Sequence, residues 1–204
     1  MSAGRWSGKT VICIGSGPSL TQTDCELAKA SGHAIVAVNS SWQMVPYCAV
    51  IYASDYDWWK KNHQKITIGA ERWTNNRKAE VDYRCNRIPG LSGYNSGLAA
   101  ILLANHFGAE RILLLGYDCQ ATNGQAHWHP PHKGNNPNEI SYRIWAKQFR
   151  STGRAIRDKV VNCSRHTAIT VFQRSSLSDA LLDGTEDKWA KSTIPHLVSA
   201  PEHA

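Results

Sequence analysis

Three imidazoles crowd into one short run, His127-Trp128-His129-Pro130-Pro131-His132-Lys133. Imidazole accepts a proton near neutral pH, so such a run can supply a general base, with Trp128 covering a bound ligand. The same histidines could instead ligate zinc, although no fourth Cys or Asp is obvious, or sit idle on an exposed loop. The second chemical feature is Gly15-Ser16-Gly17-Pro18-Ser19-Leu20, where the apolar residues 11–14 end in a glycine turn. Gly15 and Gly17 tolerate backbone angles denied to other residues and would let a ligand approach the main chain. Pro18 suits a first helical turn, and Ser16 and Ser19 add hydroxyls. Strand, turn and helix N-terminus together favour an anion such as phosphate. An ordinary βα turn is the plainer alternative, because no Lys-Ser/Thr pair and no third glycine complete a known phosphate fingerprint.

These groups need elements to hold them. Apolar runs at 11–14, 34–38, 49–53, 112–115 and 168–172 read as strands. Helices are expected over 24–31, 97–107, 141–157 and 178–182. Strands alternating with helices imply parallel pairing and an α/β, single-domain, three-layer sandwich with a mainly parallel Rossmann-like sheet. Such sheets bind ligands at the carboxyl ends of their strands. The residues found there are polar: Asn39-Ser40-Ser41, Ser54-Asp55, Gly116-Tyr117-Asp118, and Asn95-Ser96-Gly97 entering a helix. Residues 120–138 carry no periodic pattern and are rich in Gly, Pro and Asn, which predicts a His-rich lid loop.

The 204 residues suit one domain, and no apolar run is long enough to span a bilayer. The first residues lack an apolar signal core, and six scattered cysteines form neither a zinc ribbon nor a disulfide framework. A cytoplasmic, reducing location is the expectation. The formal charge is +7, and Arg143, Lys147, Arg150, Arg154 and Arg157 recur at helical spacing. That stripe is either the solvated face of an amphipathic helix or a surface for a polyanion, with Trp145, Phe149 and Ile156 packing inward.

Gly15-Ser16-Gly17-Pro18-Ser19-Leu20 resembles the Gly-x-Gly-Pro-Ser-Leu nucleotide loop of the family 42 bacterial sialyltransferases. Related loops occur in motility accessory factor glycosyltransferases and archaeal hydroxymethylpterin pyrophosphokinases. Val38-Asn39 is similar to the second-strand Asn of that group. Asn95 to Ala100, with residues 112–118, is similar to its Thr-Ser-Gly helix and Gly-Ile-Asp strand. Residues 161–164 resemble its closing strand, and small bacteriophage proteins share the Gly-Tyr-Asp and His-Trp-His pattern.

The resemblance implies glycosyl transfer from a CMP-sugar-like donor to an acceptor hydroxyl, on a glycan or on modified DNA. Gly15, Ser16, Gly17, Pro18, Ser19, Asn39, Ser96 and Gly97 would then hold the nucleotide, and Ser54, Asp55, Tyr117 and Trp128 the substrates. His132 would be the base, with His127 and His129 beside it, and His127 or Tyr117 would assist the leaving phosphate. Asp118 would fix the sheet edge, bind Mg²⁺ or orient a histidine. No cofactor is required on this reading, and Mg²⁺ is the one metal it admits. An ATP-dependent kinase or pyrophosphokinase would instead need Asp55 and Asp118 to converge on the glycine loop with Mg²⁺. A non-enzymatic nucleotide- or nucleic-acid-binding protein would use the basic stripe.

Overall fold

The computed structural model describes residues 4–90, 93–130 and 137–190, with side chains as far as residue 183. Its frame is an eight-stranded parallel sheet: β1 (Thr10–Ile14), β2 (Ala34–Val38), β3 (Val50–Tyr52), β4 (Glu71–Thr74), β5 (Asn86–Arg87), β6 (Arg111–Leu115), β7 (Val160–Asn162) and β8 (Gln173–Arg174). The spatial order is β5-β4-β3-β2-β1-β6-β7-β8. The chain moves outward from β1 through β5, then returns to place β6 against β1, with Cys13 opposite Leu114. Strand order therefore reverses between β1 and β6, where an open parallel sheet leaves a crevice.

The central strands are continuous apolar runs because helices bury them on both faces. Ile12, Ile14, Ile35, Ala37, Leu113 and Leu115 pack on one face with α1 (Gln22–Ala30), α2 (Tyr56–Asn62), α3 (Arg77–Tyr83) and α7 (Leu177–Ala190). Val11, Cys13, Val36, Val38, Ile112 and Leu114 face the other way. There they meet α4 (Ser96–His106) and Phe149 of α5 (Glu139–Arg150). The three-layer α/β sandwich expected from the sequence is present. Among the described residues no helix is long and apolar enough to cross a membrane. All six cysteines are free, five of them buried.

Several expectations are corrected. Residues 168–172 form no strand, because Ala168 N–H donates to Asp118 O at 2.8 Å and Thr167 Oγ1 to Tyr117 O at 2.7 Å. Those bonds carry the segment across the end of β6 rather than alongside the sheet. The helix expected over 141–157 is two: α5 stops at Arg150, and α6 (Arg154–Arg157) begins after Gly153. The basic stripe is divided with it. Helix α1 begins at Gln22, not Pro18, because Thr21 and Asp24 close a reciprocal capping box. The short elements α2, α3, β4 and β5 had no clear periodic signal in sequence.

Candidate functional site

A cavity of about 480 Å³ opens over the carboxyl ends of β1, β2, β3 and β6. Its floor is the glycine loop, and the geometry there differs from a phosphate cradle. Gly15 N–H donates to Leu115 O at 2.7 Å and Gly17 N–H to Gly116 O at 2.8 Å. Ser19 donates its N–H and its hydroxyl to the two oxygens of Asp118, at 2.9 and 2.7 Å. A Cβ on Gly15 or on Gly17 would stand 2.6 Å from Gly116 O, and one on Gly17 would also overlap the Asp118 carboxylate. The close approach these glycines permit is thus between the β1 and β6 loops. The α1 N-terminus carries its own carboxylate, since Asp24 caps it and pairs with Arg165 at 2.9 Å, and none of residues 21–24 lines the cavity.

Asp118 is 1% exposed, and its burial raises its carboxyl pKa against the opposing Ser19 donors and the nearby His166. Bonded to Ser19 through both oxygens, it is a strut between the two loops. Tyr117 is also buried. Its N–H donates to Ser164 Oγ at 2.8 Å, its hydroxyl donates to Gly97 O at 3.1 Å, and burial keeps the phenol neutral. It therefore positions the first turn of α4 while its ring lines the cavity.

That turn lines the cavity, as the α1 N-terminus does not. Asn95 caps α4 by accepting Leu98 N–H at 3.0 Å, so the N–H groups of Ser96 and Gly97 have no partner among the described residues. Gln148 of α5 holds the cap in place: its Oε1 accepts from Asn95 N and Nδ2, and its Nε2 donates to Gly93 O. Ser96 Oγ accepts Ser54 N–H at 2.9 Å, tying the β3 end to the same turn. Asn39, at φ +51°, points a buried Oδ1 with no partner, and Ser54 Oγ and the Tyr52 hydroxyl adjoin without closing a hydrogen bond. Buried polar atoms of this kind are costly unless something completes them. Asp55 lines the wall while capping α2 through Asp57 N–H at 2.8 Å.

The lid is anchored by Trp128. Its N–H donates to Ser16 O at 3.1 Å, and its ring packs on the apolar cluster facing α1. It does not line the cavity, so the expectation that it covers a ligand is corrected. His127 and His129 do line it, stacked with ring centroids 4.9 Å apart and planes 13° from parallel. His129 Nδ1 lies 2.9 Å from Pro130 O. A carbonyl only accepts, so Nδ1 is the donor in this contact. His132 lies outside the described residues.

Gly15, Ser16, Gly17, Asn39, Ser54, Asp55, Ser96, Gly97, Tyr117, Asp118, His127 and His129 therefore converge on one cavity, whereas Pro18, Ser19 and Trp128 lie outside its walls. Sequence reasoning missed the α2 wall of Trp58, Lys61 and Asn62, and also Tyr142 of α5. Asp55 before Tyr-Asp-Trp-Trp is a helix-start signal that could have revealed α2. The Tyr142 hydroxyl is buried without a partner, and Trp145, expected to pack inward, lines the cavity beside it. Among the described residues no three His, Cys, Asp or Glu side chains gather as a metal site. No protein family, curated protein or solved structure matches this chain.

Proposed function

We propose that the chain is a transferase that binds a nucleotide-activated sugar in the strand-end cavity and moves the glycosyl group to an acceptor hydroxyl. The observation that carries this reading is that the lid imidazoles His127 and His129 line the same cavity as Asn39 and the first turn of α4, where the N–H groups of Ser96 and Gly97 have no partner among the described residues. A cavity of this size is within the range of small-molecule sites, roughly 300–1,000 Å³. The N–H groups of Ser96 and Gly97 suit the donor phosphates, since helix dipole and unpaired donors both favour an anion. Asn39 and Ser54 supply polar contacts to the ribose or the sugar, and Gly15 to Gly17 shape the floor.

In the transfer, the acceptor oxygen bonds to the anomeric carbon as the bond from that carbon to the phosphate oxygen breaks. The nucleotide leaves with the electron pair, and His129 Nε2 takes the acceptor proton. Such base catalysis is typically worth on the order of 10²–10⁴-fold. The α4 donors stabilise the charge growing on the leaving phosphate. The kinase reading asks Asp118 to hold Mg²⁺, and both of its oxygens already receive Ser19 donors.

A thermal-shift series with CMP, UDP, GDP and ATP, with and without Mg²⁺, tests the reading, because a ligand of the native state alone raises its stability. A shift with a pyrimidine nucleotide independent of Mg²⁺, followed by sugar transfer, supports it. A shift confined to ATP with Mg²⁺ favours the kinase, and a shift without turnover favours a binding protein.

A further inference from the structure

On its outer side α5 carries Arg143, Lys147 and Arg150, all exposed and spaced to share one stripe. Among the described residues none of the three makes an ion pair, whereas Arg154 on α6 is paired with Asp158 at 3.5 Å. Exposed Ile140 and Ile144 flank the stripe, at 67% and 52% exposure. The same helix sends Tyr142 and Trp145 into the cavity wall. Burial pushes the thiol of Cys119, another wall residue, up to about 11, and Arg150 lies near enough to oppose that shift. A cationic ridge with an apolar edge thus runs along the outer face of α5, the helix whose other face walls the cavity.

We infer that this ridge binds the phosphate backbone of a single-stranded nucleic acid and presents its acceptor nucleotide to the cavity, an inference that rests on the transferase reading above. The residues from Arg143 to Arg150 span about 10 Å at 1.5 Å per residue, so the three cations can meet neighbouring phosphates of one strand. Unpaired cations release the counterions of such a strand on binding, and the neighbouring isoleucines and cavity aromatics offer contacts to sugars and bases. An acidic polysaccharide shares the charge but has no bases for Tyr142 and Trp145 to stack.

The test is fluorescence anisotropy with a labelled single-stranded DNA oligonucleotide across a salt series. It compares wild type, a ridge variant (Arg143→Gln, Lys147→Gln, Arg150→Gln) and a control that loses equal charge elsewhere (Lys29→Gln, Lys65→Gln, Arg77→Gln). The thermal shift with CMP is read on each protein. The inference expects salt-dependent DNA binding by wild type and control. The ridge variant should lose at least tenfold in affinity and about two units of salt slope, at about 0.7 per cation, with its CMP shift retained. Equal loss in the control, binding that survives in the ridge variant, or binding of heparin without DNA each overturns it. A CMP shift without DNA binding removes the ridge and leaves the donor reading standing. Ridge-dependent DNA binding without any nucleotide shift supports the ridge and removes the donor reading.

Discussion

Two helix N-termini stand at the carboxyl edge of this sheet, each reached through a Gly- and Ser-containing turn, and only the α4 end lines the cavity. At the β1 turn, the N–H groups of Gly15, Gly17, Ser19 and Leu20 all donate within the protein, and Asp24 occupies the end of α1. At α4 the cap satisfies Leu98, and the N–H groups of Ser96 and Gly97 are left facing the cavity. Glycine signals a close approach of backbone in both places, but not what approaches. In the first turn it is the β6 loop. In the second the neighbour is the Tyr117 ring, and the donors remain available for an anion.

The largest effect should separate the two glycines. Gly17→Val collides with Gly116 O and Asp118, so it should abolish folding or cost several kcal/mol, at the upper end of single-residue effects. Gly97→Ala meets only side-chain atoms, Tyr117 Cε1 at 3.0 Å, Asn95 Oδ1 at 3.2 Å and Phe149 Cζ at 3.5 Å, and should fold with a loss of about 1 kcal/mol. Urea melts read both, and a Gly17→Val protein as stable as wild type would break the comparison.

Next comes the lid that hangs from the glycine turn by the bond from Trp128 N–H to Ser16 O. His129→Ala should lower kcat by on the order of 10²–10⁴-fold with nucleotide affinity unchanged. His132→Ala is its counterpart. A collapse of turnover in that variant alone would move the base from His129 to His132.

Asp118→Asn should cost about 1–3 kcal/mol by leaving one Ser19 donor poorly matched in a buried site. It also carries a pH signature. Burial raises the Asp118 pKa in the folded state, so its titration favours folding below the ordinary carboxylate range. That contribution is lost as pH rises through the raised value. The stability difference between wild type and variant should therefore shrink over that interval in parallel denaturant melts. A constant difference would contradict the buried strut.

The smallest effect is expected in the cavity wall. Asn39→Gly keeps the positive φ accessible and removes the unpartnered Oδ1, so stability should change little while nucleotide affinity falls about tenfold, or 1.4 kcal/mol. Calorimetric titration measures it, and unchanged affinity would take Asn39 out of the site.

The central sheet was legible because β1, β2, β3 and β6 are apolar without interruption, as strands buried on both faces must be. The polar residues that follow them marked the correct edge. What was not legible is tertiary. Residues 168–172 look like a strand, yet Thr167 and Ala168 are bound to the β6 end by hydrogen bonds no local pattern reveals. Gly153 breaks the long helix although the periodicity of basic and apolar residues runs through it. Trp128 reads as a ligand cover until the core behind it is known. Gly17 reads as a ligand contact until Asp118 is found beside it.

The most direct measurement is a ¹⁵N-resolved NMR titration with a nucleoside monophosphate, following individual backbone amides. The amides of Ser96 and Gly97 should move on binding, while those of Gly15, Gly17 and Ser19, already donating within the protein, should stay nearly fixed. Movement of the glycine-loop amides with Ser96 and Gly97 unmoved would contradict an anion site at α4.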